Sequence, residues 1–141
     1  MPGRRAFCTP IGYDKAKAVE WLDSQQGERA TMDIRQVSAV TLAVQDMARA
    51  VAFYEGAGFE RLYGGETATF TSYRLGETFL NLILTPTYTG HWWGRVIFRV
   101  AQVDEFHAAL AARGISAEVP RDGSWGERYF HIKDPDGHEL S

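Results

Sequence analysis

"VSAVTLAVQDMARAVAFYEGAGF", residues 37–59, set against "GRVIFRVAQVDEFHAALAARGI", residues 94–115, is the comparison that decides the fold. Laying Val44 on Val100 also lays Leu42 on Phe98, Met47 on Val103 and Gly58 on Gly114. Each stretch opens with alternating apolar residues, Val40-Leu42-Val44 or Val96-Phe98-Val100, the period of a half-buried strand. Each continues as an amphipathic helix, anchored by Met47, Val51 and Tyr54 or by Val103, Phe106 and Leu110. Gly58 and Gly114 then stand where a helix ends most easily in the left-handed conformation. Four features at one offset point to an internal duplication.

Three strands are expected after each helix. In the first copy they fall at 59–63, 69–75 and 78–84, with Gly76-Glu77 as a two-residue hairpin loop of the type II′ kind. In the second they fall at 116–119, 128–132 and 138–141. Asp134-Pro135-Asp136-Gly137 supplies the last turn, proline presetting its second position and glycine closing it. The fold class is therefore α+β, two tandem β-α-β-β-β modules: module one 37–84, linker 85–93, module two 94–141. Residues 1–32 match neither copy and read as an N-terminal extension. Its accessory helix lies in "DKAKAVEWLDSQQ", with Val19, Trp21 and Leu22 on the apolar side. Residues 33–141 then form a single domain.

At 141 residues the chain is long enough to bury a core of its own. A net charge of −3 with scattered basic residues gives no reason to expect nucleic acid. No apolar run approaches the roughly 18 residues of a membrane span. Cys8 is the only cysteine, so a disulfide framework is not expected and a reducing compartment is favoured. "MPGRR" is followed by no apolar stretch of a secretory signal, which makes the cytoplasm the expected location.

The duplicated unit, "TLAVQDMARAVAFYEGAGF" at its start and "DPDGHELS" at its end, resembles the vicinal oxygen chelate superfamily over about Val37 to Ser141. That group includes glyoxalase I, extradiol dioxygenases, fosfomycin-resistance enzymes and bleomycin-binding resistance proteins. The resemblance implies a half-open eight-stranded barrel of the glyoxalase/bleomycin-resistance/dihydroxybiphenyl dioxygenase kind, with helices outside and a ligand on the concave inside. It also implies a homodimer. Enzymes of the group hold a divalent metal through His and Glu at the start of each module's first strand and in its last strand. Carried over by motif, those positions are Ala39, Asn81, Arg95 and Ser141. Ala39 has no donor atom, Arg95 is a fixed cation, and Asn81 and Ser141 are weak neutral oxygens. No metal and no other cofactor is expected; a divalent metal held by relocated ligands is the alternative.

The closing "HIKDPDGHEL" sets two histidines and a glutamate close together in sequence. A loop around Asp134–Gly137 would pair Ile132 with His138 and His131 with Glu139. His131, Glu139 and Ser141 then share one face and His138 points to the other. His131 with Glu139 is the candidate acid–base pair, the carboxylate raising the imidazole pKa. The same pair also serves as a cross-strand polar contact, and Arg95 is a competing partner for Glu139. A calcium loop is not supported, because the remaining ligand positions are missing.

In the first hairpin the loop pairs Ser72 with Asn81 and Arg74 with Phe79. Phe70, Ser72, Arg74, Phe79, Asn81 and Ile83 therefore line one face, the concave one by resemblance. Trp93, Arg95 and Ile97 are expected to point inward from the second copy, joined by Tyr129 and His131. Trp125 reads as a lid or a plug. The ligand-binding set is Phe70, Arg74, Phe79, Asn81, Trp93, Arg95, Tyr129 and Ser141. Aromatic walls with arginines suit a small organic molecule that is planar, anionic or both; the same aromatics also serve as core. The expected function is metal-independent binding of such a molecule. The alternative is a glyoxalase-like lyase or isomerase, or a dioxygenase, using relocated metal ligands or the His131/Glu139 pair.

Overall fold

The computed structural model describes residues 33–141 together with Ala16, Lys17, Val19 and Glu20. Those four are helical, within the segment expected as an accessory helix; Trp21, Leu22 and Cys8 lie outside the described residues. Two units are distinguished. The larger holds Val37–Asp122 and Arg128–Ser141; the smaller holds the described residues up to Gln36 and Gly123–Glu127. In the smaller unit Gly123–Glu127 is a turn: Gly123 N–H donates to Glu127 C=O at 2.7 Å. Trp125 Nε1–H donates to a Glu127 carboxylate oxygen at 3.1 Å there.

The larger unit starts with strand β1 (Ala39–Val44), which alternates as expected: Leu42 and Val44 are buried and Thr41 is exposed. Asp46 caps helix α1 (Met47–Gly56) by accepting the Arg49 N–H at 3.0 Å. Met47, Ala50, Val51 and Tyr54, at i, i+3, i+4 and i+7, form its buried stripe. Gly58, at φ 92°, lets the chain leave the helix and enter β2 (Glu60–Tyr63). Strands β3 (Phe70–Leu75) and β4 (Thr78–Leu84) form the expected hairpin, with Ser72 opposite Asn81 and Arg74 opposite Phe79. Gly76 has φ 60° and Glu77 is not at positive φ, which fits type II′ and excludes type I′. The sheet order is β1-β4-β3-β2.

Module two repeats this order with shorter ladders. Strand β5 (Arg95–Val96) leads to α2 (Val103–Ala112), and Gly114 at φ 75° repeats Gly58. The strand expected at 116–119 is not one; β6 (Arg121–Asp122) pairs instead with β7 (Arg128–Tyr129). Only Glu118 N–H, bonded to His131 C=O at 3.0 Å, ties the earlier stretch to the sheet. The strand expected at 128–132 is split into β7 and β8 (Ile132–Lys133). The last strand, β9 (Glu139–Leu140), stands between β5 and β8. Ladders this short do not close, so the eight-stranded half-open barrel is realised as curved sheets of four, three and two strands. Among the described residues no helix is long and apolar enough to cross a membrane.

The core lies between α1 and one face of the first sheet. Leu42, Val44, Tyr73, Leu80 and Leu82 meet Met47, Val51 and Tyr54 there, and Leu140 of module two joins them. Each such side chain removed from water contributes about 1.5–3 kcal/mol before entropy is counted. Phe59 of module one meets Phe98 of module two edge to face, centroids 5.3 Å apart. That contact joins the two copies through their apolar faces and leaves the opposite faces open.

Candidate open-face binding site

Because residues directly opposite in a ladder share a face, the registers define the open face row by row. Ala39, Phe79, Arg74 and Glu60 form one row; Thr41, Asn81 and Ser72 form the next; Ala43, Ile83 and Phe70 form a third. Phe70, Arg74, Phe79 and Asn81 are therefore brought together. Ser72 Oγ–H donates to Asn81 Oδ1 at 2.8 Å, and Asn81 Nδ2–H donates to Thr41 Oγ1 at 3.3 Å. Arg74 is exposed and makes no ion pair among the described residues.

In module two, Arg95 stands beside Glu139, and their side chains form an ion pair at 2.5 Å. Glu139 is 14% exposed and Arg95 38%, so the pair is half-buried. The final hairpin differs from expectation by two residues. Ile132 faces Leu140 and Lys133 faces Glu139, which brings His131 to Ser141 rather than to Glu139. The shift is even, so His131, Glu139 and Ser141 keep the common face and His138 the opposite one. Asp134 stands at this turn: its N–H donates to His138 C=O at 3.0 Å, which carries the pairing on to 134/138, and its carboxylate accepts the N–H groups of Asp136 and His138.

Ser141 Oγ donates to Phe130 C=O at 3.3 Å and lies 3.0 Å from His131 Nδ1. With the Ser141 hydrogen given to Phe130 C=O, the assigned donor in the second contact is His131 Nδ1–H. Tyr129 stands beside it, ring centroids 5.2 Å apart, under the Arg121 guanidinium at 4.9 Å. The expected rise in the His131 pKa is reversed: burial and the Arg95 cation hold it below 6.5, outweighing Glu118 and Glu139. Glu139 is ion-paired with Arg95, and the hydrogen-bonding neighbour of His131 is Ser141.

Trp93 is elsewhere. Gly94, at φ 133°, interrupts the alternation, so the parity that places Arg95 and Ile97 does not extend back to residue 93. Trp93 Nε1–H instead donates to His138 Nδ1 at 2.8 Å, and His138 Nε2–H donates to Ala43 C=O at 2.7 Å. With both nitrogens engaged and 3% exposure, His138 is a packed structural residue. His91 lies beside this group, with Nδ1 3.4 Å from Thr89 C=O.

The turn carboxylates, read from sequence only as turn formers, are anchors. Asp134 accepts the N–H groups of Asp136 and His138 at 3.0 and 2.8 Å on one oxygen, and the Tyr54 hydroxyl at 2.7 Å on the other. Burial raises the Asp134 pKa against these bonds. Asp136 accepts the Gln45 N–H at 2.8 Å and pairs with Arg49 at 3.2 Å. The Asp-x-Asp spacing was visible in the sequence; its partners 80 to 91 residues away were not.

The positions that would hold a divalent ion do not fit one. Ala39 offers no donor. The Asn81 oxygen accepts from Ser72, the Ser141 hydroxyl is bonded to Phe130 and His131, and Arg95 sets a cation where the ion would stand. The face can instead take a molecule by stacking, by neutral hydrogen bonds and by the Arg74 charge.

The Glyoxalase/Bleomycin resistance protein/Dioxygenase superfamily model matches residues 36–141. A lactoylglutathione lyase from Agrobacterium tumefaciens superposes with TM-score 0.65 at 20% identity, covering 77% of this chain and 92% of that one. A bleomycin-binding protein complexed with bleomycin gives 0.62 at 23%, covering 76% and 95%. A glyoxalase/bleomycin resistance protein from Catenulispora acidiphila gives 0.60 at 26%, covering 74% and 95%. A search of curated protein sequences finds no match. With an internal duplication, this element order and a family match over most of its length, the chain belongs to the glyoxalase/bleomycin resistance protein/dioxygenase superfamily.

Proposed function

We propose that this protein binds a small aromatic, anionic organic molecule on its open face without a metal ion. The observation that carries the proposal is the fate of the inherited ligand positions. One is an alanine, two are tied into hydrogen bonds and the fourth is an ion-paired arginine. Beside them Phe70 and Phe79 offer flat apolar surface, and Arg74 a charge with no ion-pair partner among the described residues. The similarity to a bleomycin-binding protein supports a sequestering role, for which shape and stacking suffice. The proposal includes a homodimer acting in the cytoplasm.

An alternative function, proton transfer in a glyoxalase-like enzyme, draws on one observation: His131 stands beside Ser141 on the face it shares with Glu139, its pKa lowered by burial and by Arg95. Turnover lost in a His131→Gln variant would favour it.

Calorimetric titration of chelator-treated protein with 2-naphthoate, its neutral amide and bleomycin tests the binding proposal. Naphthoate should bind saturably, more tightly than the amide, and Arg74→Gln should weaken it about fivefold, the loss of one charge-assisted contact. Binding that appears only after a divalent ion is added would contradict it, as would indifference to Arg74.

A further inference from the structure

A cleft of about 310 Å³ lies along β1, lined by residues 40–43 and by Tyr88, His91, Trp93 and His138. It follows the edge of β1 that β4 leaves unpaired, since β1 is the outer strand of its sheet. Phe79 N–H donates to Ser38 C=O at 3.0 Å, and Thr85 N–H to Val44 C=O at 2.7 Å, so even-numbered residues of β1 turn their polar groups to β4. In a parallel ladder the odd-numbered residues then turn theirs to the other edge. Two of these are already used: Ala43 C=O accepts from His138 Nε2–H, and Gln45 N–H donates to Asp136. Thr41 is the next one back. Its hydroxyl is held on the open face by Asn81, while its backbone N–H and C=O face the cleft.

The His138 ring shows what this edge accepts. A flat nitrogen heterocycle gives its ring N–H to a β1 carbonyl and lies on Tyr88, centroids 5.1 Å apart and planes 25° apart. We propose that the neighbouring stretch of edge, at Thr41, is a second binding site for a planar nitrogen heterocycle that presents a hydrogen-bond donor and acceptor side by side. The heterocycle's donor meets Thr41 C=O and its acceptor meets Thr41 N–H, with Tyr88, His91 and Trp93 as aromatic walls. The cleft is at the small end of ligand sites, about the size for one bicyclic ring. An added protein strand suits the edge less well, because His138 and Asp136 block it at residues 43 and 45 and leave too short a run to pair. The site does not depend on the open-face proposal, since the Arg74 and Phe79 side chains do not line it.

The test is a titration of the ¹⁵N-labelled full chain with 7-azaindole, whose ring N–H and pyridine nitrogen form such a pair. The control is 1-methyl-7-azaindole, equal in shape but unable to donate. The expected result is saturable movement of the Thr41 amide and Trp93 indole signals, with the methylated compound at least about fivefold weaker. Tyr88→Ala should weaken 7-azaindole by about the same factor and Tyr88→Phe should not. Tyr88 is half-buried in the linker, and the spectrum itself reports whether the variant is folded. Equal binding of the two compounds would overturn the proposal. So would movement confined to the Arg74 and Phe79 signals, or a Tyr88→Ala variant that is folded and binds unchanged.

Discussion

Tyr54→Phe removes one oxygen from a buried position and leaves the ring. The wild-type hydroxyl donates to Asp134 at 2.7 Å, and Tyr54 has no solvent exposure. The carboxylate oxygen it reaches has no other donor among the described residues, because both backbone N–H groups bond the second oxygen. A hydrogen bond to a charged group contributes about 1.5–3 kcal/mol, and an orphaned buried carboxylate oxygen places the loss in the upper part of that range, about 2–3 kcal/mol. The ring contacts with Phe53, Phe59 and Tyr73 remain, so the m-value in urea should be unchanged. The loss has a pH signature. The Tyr54 bond lowers the Asp134 pKa, so the variant raises it further above the unfolded value. The deficit against wild type should therefore be largest where Asp134 is ionised in both proteins and shrink as pH falls through the Asp134 titration. Urea unfolding at several pH values measures this. A loss below about 0.5 kcal/mol, or one independent of pH, would refute the view that Asp134 clamps the final turn to α1.

His131 gives a second pH dependence, in the same direction. Its folded pKa lies below the unfolded 6.5, so stability present above pH 6.5 should be lost as pH falls through the depressed value. His131→Gln should remove that part of the pH profile in urea unfolding, and in NMR titrations Glu139→Gln should lower the His131 pKa while Arg95→Gln raises it. Gly64 and Gly137 form a contrasting pair: both have positive φ, 84° and 86°, but a Cβ at Gly64 would stand 2.2 Å from Phe70 C=O whereas Gly137 has open space. Thermal or urea unfolding should show Gly137→Ala costing about 1–2 kcal/mol and Gly64→Ala clearly more, with the Phe70 row of the open face displaced.

The alternation around Val40-Leu42-Val44 and the hairpin at Gly76-Glu77 were legible because they are local: period and turn chemistry fix face and register together. Module two was harder to read. Its strands carry fewer apolar residues, so nothing in "SAEV" distinguishes a paired strand from the loop it is, and β6 forms downstream. The last hairpin's face was legible from parity, but its register depends on Asp134 and on Tyr54 from a distant helix. Trp93 was misplaced because a glycine at positive φ ended the alternation one residue before the strand. The Arg95–Glu139 pair followed from residue type, an arginine at an inherited position and a carboxylate on the same face of the last strand. The His131 pKa did not, because it depends on which neighbour Glu139 chooses.

The open face is where the family's metal would stand, and calorimetric titration of chelator-treated protein with zinc, nickel, manganese and ferrous ions tests most directly whether it holds one. With Asn81 held by Ser72 and Arg95 paired to Glu139, no ion should bind the open face tightly, and naphthoate affinity should be the same with or without metal. Stoichiometric tight binding of any of these ions that Asn81→Ala or Glu139→Gln abolishes would contradict it.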